Sequence, residues 1–115
     1  MELGADAAFC YLTTRGRVTG RAHEIEIWFA RVADTFYLLA GGGERSDWVR
    51  NLRADPAVTI RVGDVTSTAR GRVLGPGAED ALARRRVFDK YQPGYQGDLR
   101  GWRDRALAVA VDVQS

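Results

Sequence analysis

Apolar residues at every second position, in one segment after another, constrain this chain more than any other feature. A strand sends successive side chains to opposite faces, so this pattern marks a sheet with one dry face. Residues 22–31 show it best. His23, Ile25, Ile27 and Phe29 share one face, and Glu24, Glu26 and Trp28 share the other. Residues 9–14, 35–40, 57–62, 65–74 and 106–113 read the same way, which predicts six strands. Val58, Ile60 and Val62 face inward, as do Leu107, Val109, Val111 and Val113, while Thr66, Thr68, Arg70 and Arg72 form a wet face. Residues 35–40 are apolar on both faces, which predicts a central strand.

Two helices interrupt the strands. Ser46 suits an N-cap and Asp47 a first turn, and Trp48, Val49 and Leu52 supply a short apolar stripe. Pro56 disfavours helical geometry at Asp55 and ends that helix. Residues 78–91 form the second helix, with Ala78, Ala81, Leu82, Phe88 and Tyr91 near one side and an Asp80–Arg84 pair one turn apart. Ala33-Asp34 and Gly63-Asp64 read as tight turns, and residues 92–101 as irregular. Six strands with two helical excursions predict a mainly β fold, a closed or half-closed antiparallel barrel that hides its strand edges.

The 115 residues suit one domain spanning 1–115. A core this small gains from pairing, so a homodimer is expected, and Trp28 either contacts the partner or packs under a helix of its own chain. No apolar run is long enough to span a bilayer, and the start of the chain lacks a leader pattern; both predict a cytoplasmic protein. Cys10 stands alone, which excludes an internal disulfide and argues against a cysteine zinc site; no local charge activates it, so it reads as buried and inert. A net charge of +2 argues against nucleic acid as partner. All but one of the basic residues are arginine, the exception being Lys90. Arg84, Arg85 and Arg86 read as a solvated helix face, or else as an anion-tail or nucleic-acid contact.

Two segments carry candidate chemistry. In Thr13-Thr14-Arg15-Gly16-Arg17-Val18-Thr19-Gly20, glycines allow close backbone approach, and Arg15, Arg17 and the Thr19 hydroxyl suit a phosphate; an ordinary hairpin turn is the alternative. In Ala40-Gly41-Gly42-Gly43-Glu44-Arg45-Ser46-Asp47-Trp48, a glycine run leads into a helix start, which favours anions; a flexible connection is the alternative. It is neither a P-loop nor a dinucleotide fingerprint. The lone histidine, His23, is either structural or a contact to cofactor or substrate. No triad order or nucleophile elbow supports hydrolysis.

Taken together, the chain resembles the deazaflavin-dependent nitroreductase family, within the split β-barrel flavin-binding superfamily. The likeness rests on Leu12-Thr13-Thr14-Arg15-Gly16-Arg17-Val18-Thr19-Gly20, on Ala40-Gly41-Gly42-Gly43, on Asp47-Trp48-Val49-Arg50-Asn51-Leu52, and on Ala54-Asp55-Pro56-Ala57-Val58. It covers roughly residues 9 to 75. Members often carry a lysine where Val18 stands, and an R-x-N-P-L-Y strand where this chain has His23 to Trp28.

The resemblance implies a dimeric six-stranded split barrel of the flavin-reductase type that binds coenzyme F-420, a deazaflavin with a phosphate and an oligoglutamate tail; FMN is the alternative cofactor. It implies that Arg17 and Thr19 meet the cofactor's phosphate region. Ala40, Gly41, Gly42 and Gly43 would line the cofactor by backbone, and Trp48 and Asn51 would lie beside it. Arg45, a guanidinium beside a helix start, suits the anionic tail. The expected reaction is hydride transfer to an electron-poor small molecule: an activated C=C, a quinone or a nitro compound. His23 and Tyr91 are the foremost proton-donor candidates, beside Tyr95 and solvent. An FMN reductase of the same fold and a non-catalytic cofactor-binding dimer are the rival readings.

Overall fold

The structure is a computed structural model, and it describes residues 7–114. The first six residues, on which much of the leader argument rests, lie outside them. Strands β1 (Cys10–Arg15), β2 (Ala22–Ile27), β3 (Ala30–Val32), β4 (Thr35–Ala40), β5 (Ala57–Val62), β6 (Val65–Val73) and β7 (Leu107–Val113) form one antiparallel sheet. Their order is β2-β1-β5-β6-β7-β4-β3. Helix α1 (Asp47–Ala54) follows a short 3-10 turn at Gly43–Arg45, α2 (Ala78–Tyr91) follows β6, and α3 (Arg100–Arg105) precedes β7.

The expected segment 22–31 is one run of chain but two strands, which makes the count seven rather than six. Its first half pairs with β1 and its last part pairs with β4, at opposite edges of the sheet. The chain bends at Trp28 and Phe29, and the bend curls the sheet toward a barrel. A bend frees backbone groups that a ladder would satisfy. Here Tyr91 and Lys90 take them up. The Phe29 N–H donates to the Tyr91 hydroxyl at 3.0 Å, and Lys90 Nζ donates to the Phe29 carbonyl at 2.9 Å. The Tyr91 hydroxyl in turn donates to the Ala8 carbonyl at 2.7 Å, and its ring stacks on Trp28 at 4.3 Å between centroids. Trp28 thus packs within its own chain, with Tyr95 and Trp102 edge-on to it.

The alternation reading holds. Val58, Ile60, Val62, Val109 and Val111 are buried inside the curl with Leu12, Phe29, Phe36 and Leu38. Helix α1 closes that cavity with Val49 and Leu52. Leu52 fits because Gly71 on β6 has no side chain; a Cβ there would overlap the leucine. The outer face of β4 and β7 is buried too, which explains why residues 35–40 are apolar on both faces. Tyr37, Leu39, Ala108 and Ala110 pack there under α2.

Three local expectations change. Helix α2 buries Ala83 and Val87, with Ala78 and Ala81 exposed, because the small residues of β7 set which face of the helix fits. The Asp80–Arg84 pair forms at 2.9 Å, and Arg84 also donates to the Arg103 carbonyl, so this arginine is not simply solvated. Helix α3 was not expected and begins at Arg100, inside the segment read as irregular; Gln92 shapes the loop before it, donating to the Gly97 carbonyl and accepting from the Leu99 N–H. Ser46 stands at the N-cap of α1 without a side-chain hydrogen bond. Ala33-Asp34 and Gly63-Asp64 do form two-residue turns, with Ala33 and Gly63 in the left-handed region. Cys10 is buried, and desolvation pushes its thiol up to about 12, as an inert cysteine requires.

Arg72 ties β6 to β7 and α2. It meets Glu79 and Asp112 at 2.7 Å each, and Tyr37 donates to Glu79 at 2.9 Å. The guanidinium holds both carboxyls below their ordinary range. Their stabilisation is present above the unfolded carboxylate values near 4 and disappears as pH falls through the lower folded values. Both carboxylates are partly exposed, so solvent screening reduces the effect. Arg72→Met is expected to cost about 1 kcal/mol at neutral pH. Denaturant melts from pH 7 to pH 2 should show the gap to wild type closing as the pH falls.

Candidate functional site

Beside α1, between its first turns and the β1–β2 hairpin, lies an open groove of about 590 Å³. That volume is in the range of small-molecule sites. Thr14, Arg17, Thr19, His23, Trp48 and Asn51 are among its lining residues. Five of the residues singled out from sequence therefore meet in one place: Arg17, Thr19, His23, Trp48 and Asn51.

The hairpin shapes one wall. The Gly16 N–H donates to the Arg21 carbonyl at 2.7 Å, the Gly20 N–H donates to the Gly16 carbonyl, and Gly20 has a positive φ that glycine takes without strain. His23 crosses Gly16 so closely that a Cβ there would lie 2.8 Å from its Nε2. Gly16 thus makes room for the imidazole at the groove. His23 is exposed and, among the described residues, makes no hydrogen bond.

Helix α1 makes the other wall. Asp47 and Asn51 are one helical turn apart and share a face. Asn51 is only 4% exposed. Its Oδ1 accepts from the Arg17 backbone N–H at 3.2 Å and from Arg17 Nη1 at 2.7 Å, and its Nδ2 donates to Thr14 at 3.3 Å. Arg17 Nη2 meets Asp47 Oδ1 at 3.3 Å, and Nη1 donates weakly to the Asp47 carbonyl. Asn51 thus pins the turn to the helix. Trp48 packs on the core while one side lines the groove. Thr14 and Asp47 were not singled out as site residues. The Asp47–Asn51 spacing was the available signal, since it puts two polar groups on one helix face.

The other expected residues lie apart from this groove. Ala40 is buried at the end of β4, paired with Leu107. Gly41 faces the indole of Trp102, and Gly42 faces Ser46. Arg45 is exposed and, among the described residues, makes no ion pair. Tyr91 borders a separate hollow with Trp28, Lys90 and Tyr95. Burial pushes its hydroxyl up to about 12, against a smaller opposing effect of its bond to Phe29. Among the described residues, no group of histidine, cysteine or carboxylate side chains is placed to hold a metal ion.

A curled antiparallel sheet with helices packed against it defines a half-barrel of the split-barrel type. The model of the family described as F420H(2)-dependent quinone reductase matches residues 4–114, and the chain belongs to that family. It is accordingly an F-420-dependent reductase, with coenzyme F-420 as its cofactor. Solved structures share the fold. An F420-H2 Dependent Reductase superposes with a TM-score of 0.73 at 21% identity, over 93% of this chain and 94% of that one. A putative 5-nitroimidazole antibiotic resistance protein from Bacteroides thetaiotaomicron gives 0.75 at 14% identity, over 98% and 76%. A chain described as a domain-swapped dimer gives 0.72 at 22% identity, over 93% and 80%. No curated protein sequence matches the chain.

The groove's donors fit an anionic cofactor. A guanidinium has five N–H groups. Arg17 Nη1 is taken up by Asn51 and the Asp47 carbonyl, so the side of the guanidinium that can meet a phosphate is the Nε–Nη2 side, where the exposed Asp47 carboxylate sits at 3.3 Å. The Thr19 hydroxyl accepts from the Arg21 N–H, so its own proton remains free to donate. No helix among the described residues is long and apolar enough to cross a membrane.

Proposed function

We propose that this chain uses the groove beside α1 to hold reduced F-420 against an electron-poor small molecule: an activated C=C, a quinone or a nitro compound. The convergence of Arg17, Thr19, His23, Trp48 and Asn51 on one groove carries this reading. When bound, the cofactor supplies a hydride. Arg17 and Thr19 bind its phosphate, and Asn51 keeps Arg17 in position from a buried site. Trp48 and Ile25 form apolar walls that exclude water from the reacting pair. Gly41, Gly42, Gly43 and Arg45 lie just before α1 in the chain and suit the cofactor's more distant parts.

Fluorescence titration of the purified protein with oxidised F-420, and separately with FMN, tests the cofactor site. Tight F-420 binding, weak FMN binding and a ten- to hundredfold loss with Arg17→Ala are expected, roughly the value of a charge-assisted hydrogen bond. Equal affinity of Arg17→Ala and wild type would remove the groove from the reading.

Reduction of the acceptor needs a proton after the hydride. His23 can give one from Nε2, because its ring is exposed at the groove and unpartnered. The Tyr91 hydroxyl is taken up by Phe29 and Ala8, which makes it the weaker candidate. A general acid contributes about a hundredfold or more. Stopped-flow reduction of a quinone should therefore slow by about that factor in His23→Ala. An unchanged rate would leave proton delivery to solvent.

The chain acts, in this reading, as a single-domain cytoplasmic homodimer. Among the described residues the outer edge of β2 has no strand partner in the sheet, and a second copy would cover it. Light scattering should give twice the mass of the chain; a mass of one chain at micromolar concentration would refute the dimer.

A further inference from the structure

We propose that Asp47 sets the affinity of the cofactor groove, its carboxylate holding the place at Arg17 that the cofactor's anionic group takes on binding. The proposal rests on the groove being the F-420 site, as argued above.

The two partners of Arg17 differ in kind. Asn51 is buried, bonds Nη1 at 2.7 Å and also holds the Arg17 backbone and Thr14. Asp47 is 86% exposed, and its carboxylate meets only Nη2, at 3.3 Å. Asn51 is the anchor, and Asp47 is the contact that can let go. An exposed, single-bond ion pair contributes little and rearranges readily. A phosphate offers more oxygens to the guanidinium fork than one carboxylate oxygen does.

The charges lining the groove point the same way. Among the described residues that line the groove, Arg17 is the one side chain with a fixed positive charge, set against the carboxylates of Asp47 and Glu24. Glu24 is drawn off by Arg61 at 3.6 Å, on β5, one strand beyond β1. Arg15, on β1, is turned toward Asp55 at 3.8 Å. Asp47 is therefore the carboxylate that directly neutralises the groove's cation. An anionic cofactor must displace it and then sit beside it, so its charge weakens binding.

The test is fluorescence titration of oxidised F-420 into wild type, Asp47→Asn and Arg17→Ala at low and moderate salt, with thermal melts of each unliganded protein. Asp47→Asn should bind about three- to tenfold more tightly, with a steeper salt dependence because Arg17 keeps its full charge. Asp47→Ser should behave alike, which separates loss of charge from the particular side chain. Equal or weaker binding by both variants would overturn the proposal and make Asp47 a support for Arg17. Arg17→Ala distinguishes the two levels of argument. If it leaves F-420 affinity unchanged, the groove reading fails and this proposal with it. If it weakens binding while the Asp47 variants do not tighten it, only the role of Asp47 falls.

Discussion

The bend at Trp28 and Phe29 is the constraint on which the rest depends. It carries one extended run of chain from the β2 edge of the sheet, beside β1, to the β3 edge, beside β4, and so forces the sheet to curl. Its backbone groups are satisfied by Tyr91 and Lys90 at the end of α2. Lys90 also lies 3.6 Å over the ring of Phe29, a cation–π contact that adds to the hold. The chain's single lysine and a tyrosine considered for chemistry thus both secure the curl. Phe29 then fills the interior against Phe36, and the outer face of β4 is left for α2.

From that curl the site follows. β1 and β2 extend as a hairpin whose turn reaches α1, and α1 is fixed by Leu52 against Gly71 and by Asn51 against the turn. The two anchors are of different kinds. Leu52 contributes apolar burial, which fixes the helix on the sheet without direction. Asn51 contributes oriented hydrogen bonds, which fix Arg17 relative to Trp48. A groove proposed to hold an anion beside an aromatic wall needs both. Family membership then supplies the cofactor, and the groove's chemistry supplies the argument for where it sits.

Much of this was legible in the sequence because strand periodicity and turn chemistry are local. The alternation in 57–62 and 65–74, the stop before Pro56 and the Gly63-Asp64 turn all follow from neighbouring residues. The break within 22–31 was not legible. Trp28 and Phe29 continue a good alternating pattern, and nothing local announces that a tyrosine more than sixty residues away will stack on Trp28 and take up the backbone N–H of Phe29. The buried face of α2 was misjudged for a like reason. Its apolar residues are spread around the helix, and the alanines of β7 decide which of them fit.

The site divides along the same line. The sequence by itself determined the residue types: a glycine-bracketed arginine turn, a tryptophan and an asparagine on one short helix, and a lone histidine on an alternating strand. Only the tertiary structure decided that Arg17, Thr19, His23, Trp48 and Asn51 share a groove while Ala40 and Tyr91 belong to the core and the bend. It also decided that the Asp47 carboxylate meets Arg17. The physical reason is that periodicity reports which side of an element is dry. Which elements meet across that dry side depends on packing and hydrogen bonds between residues far apart in the chain.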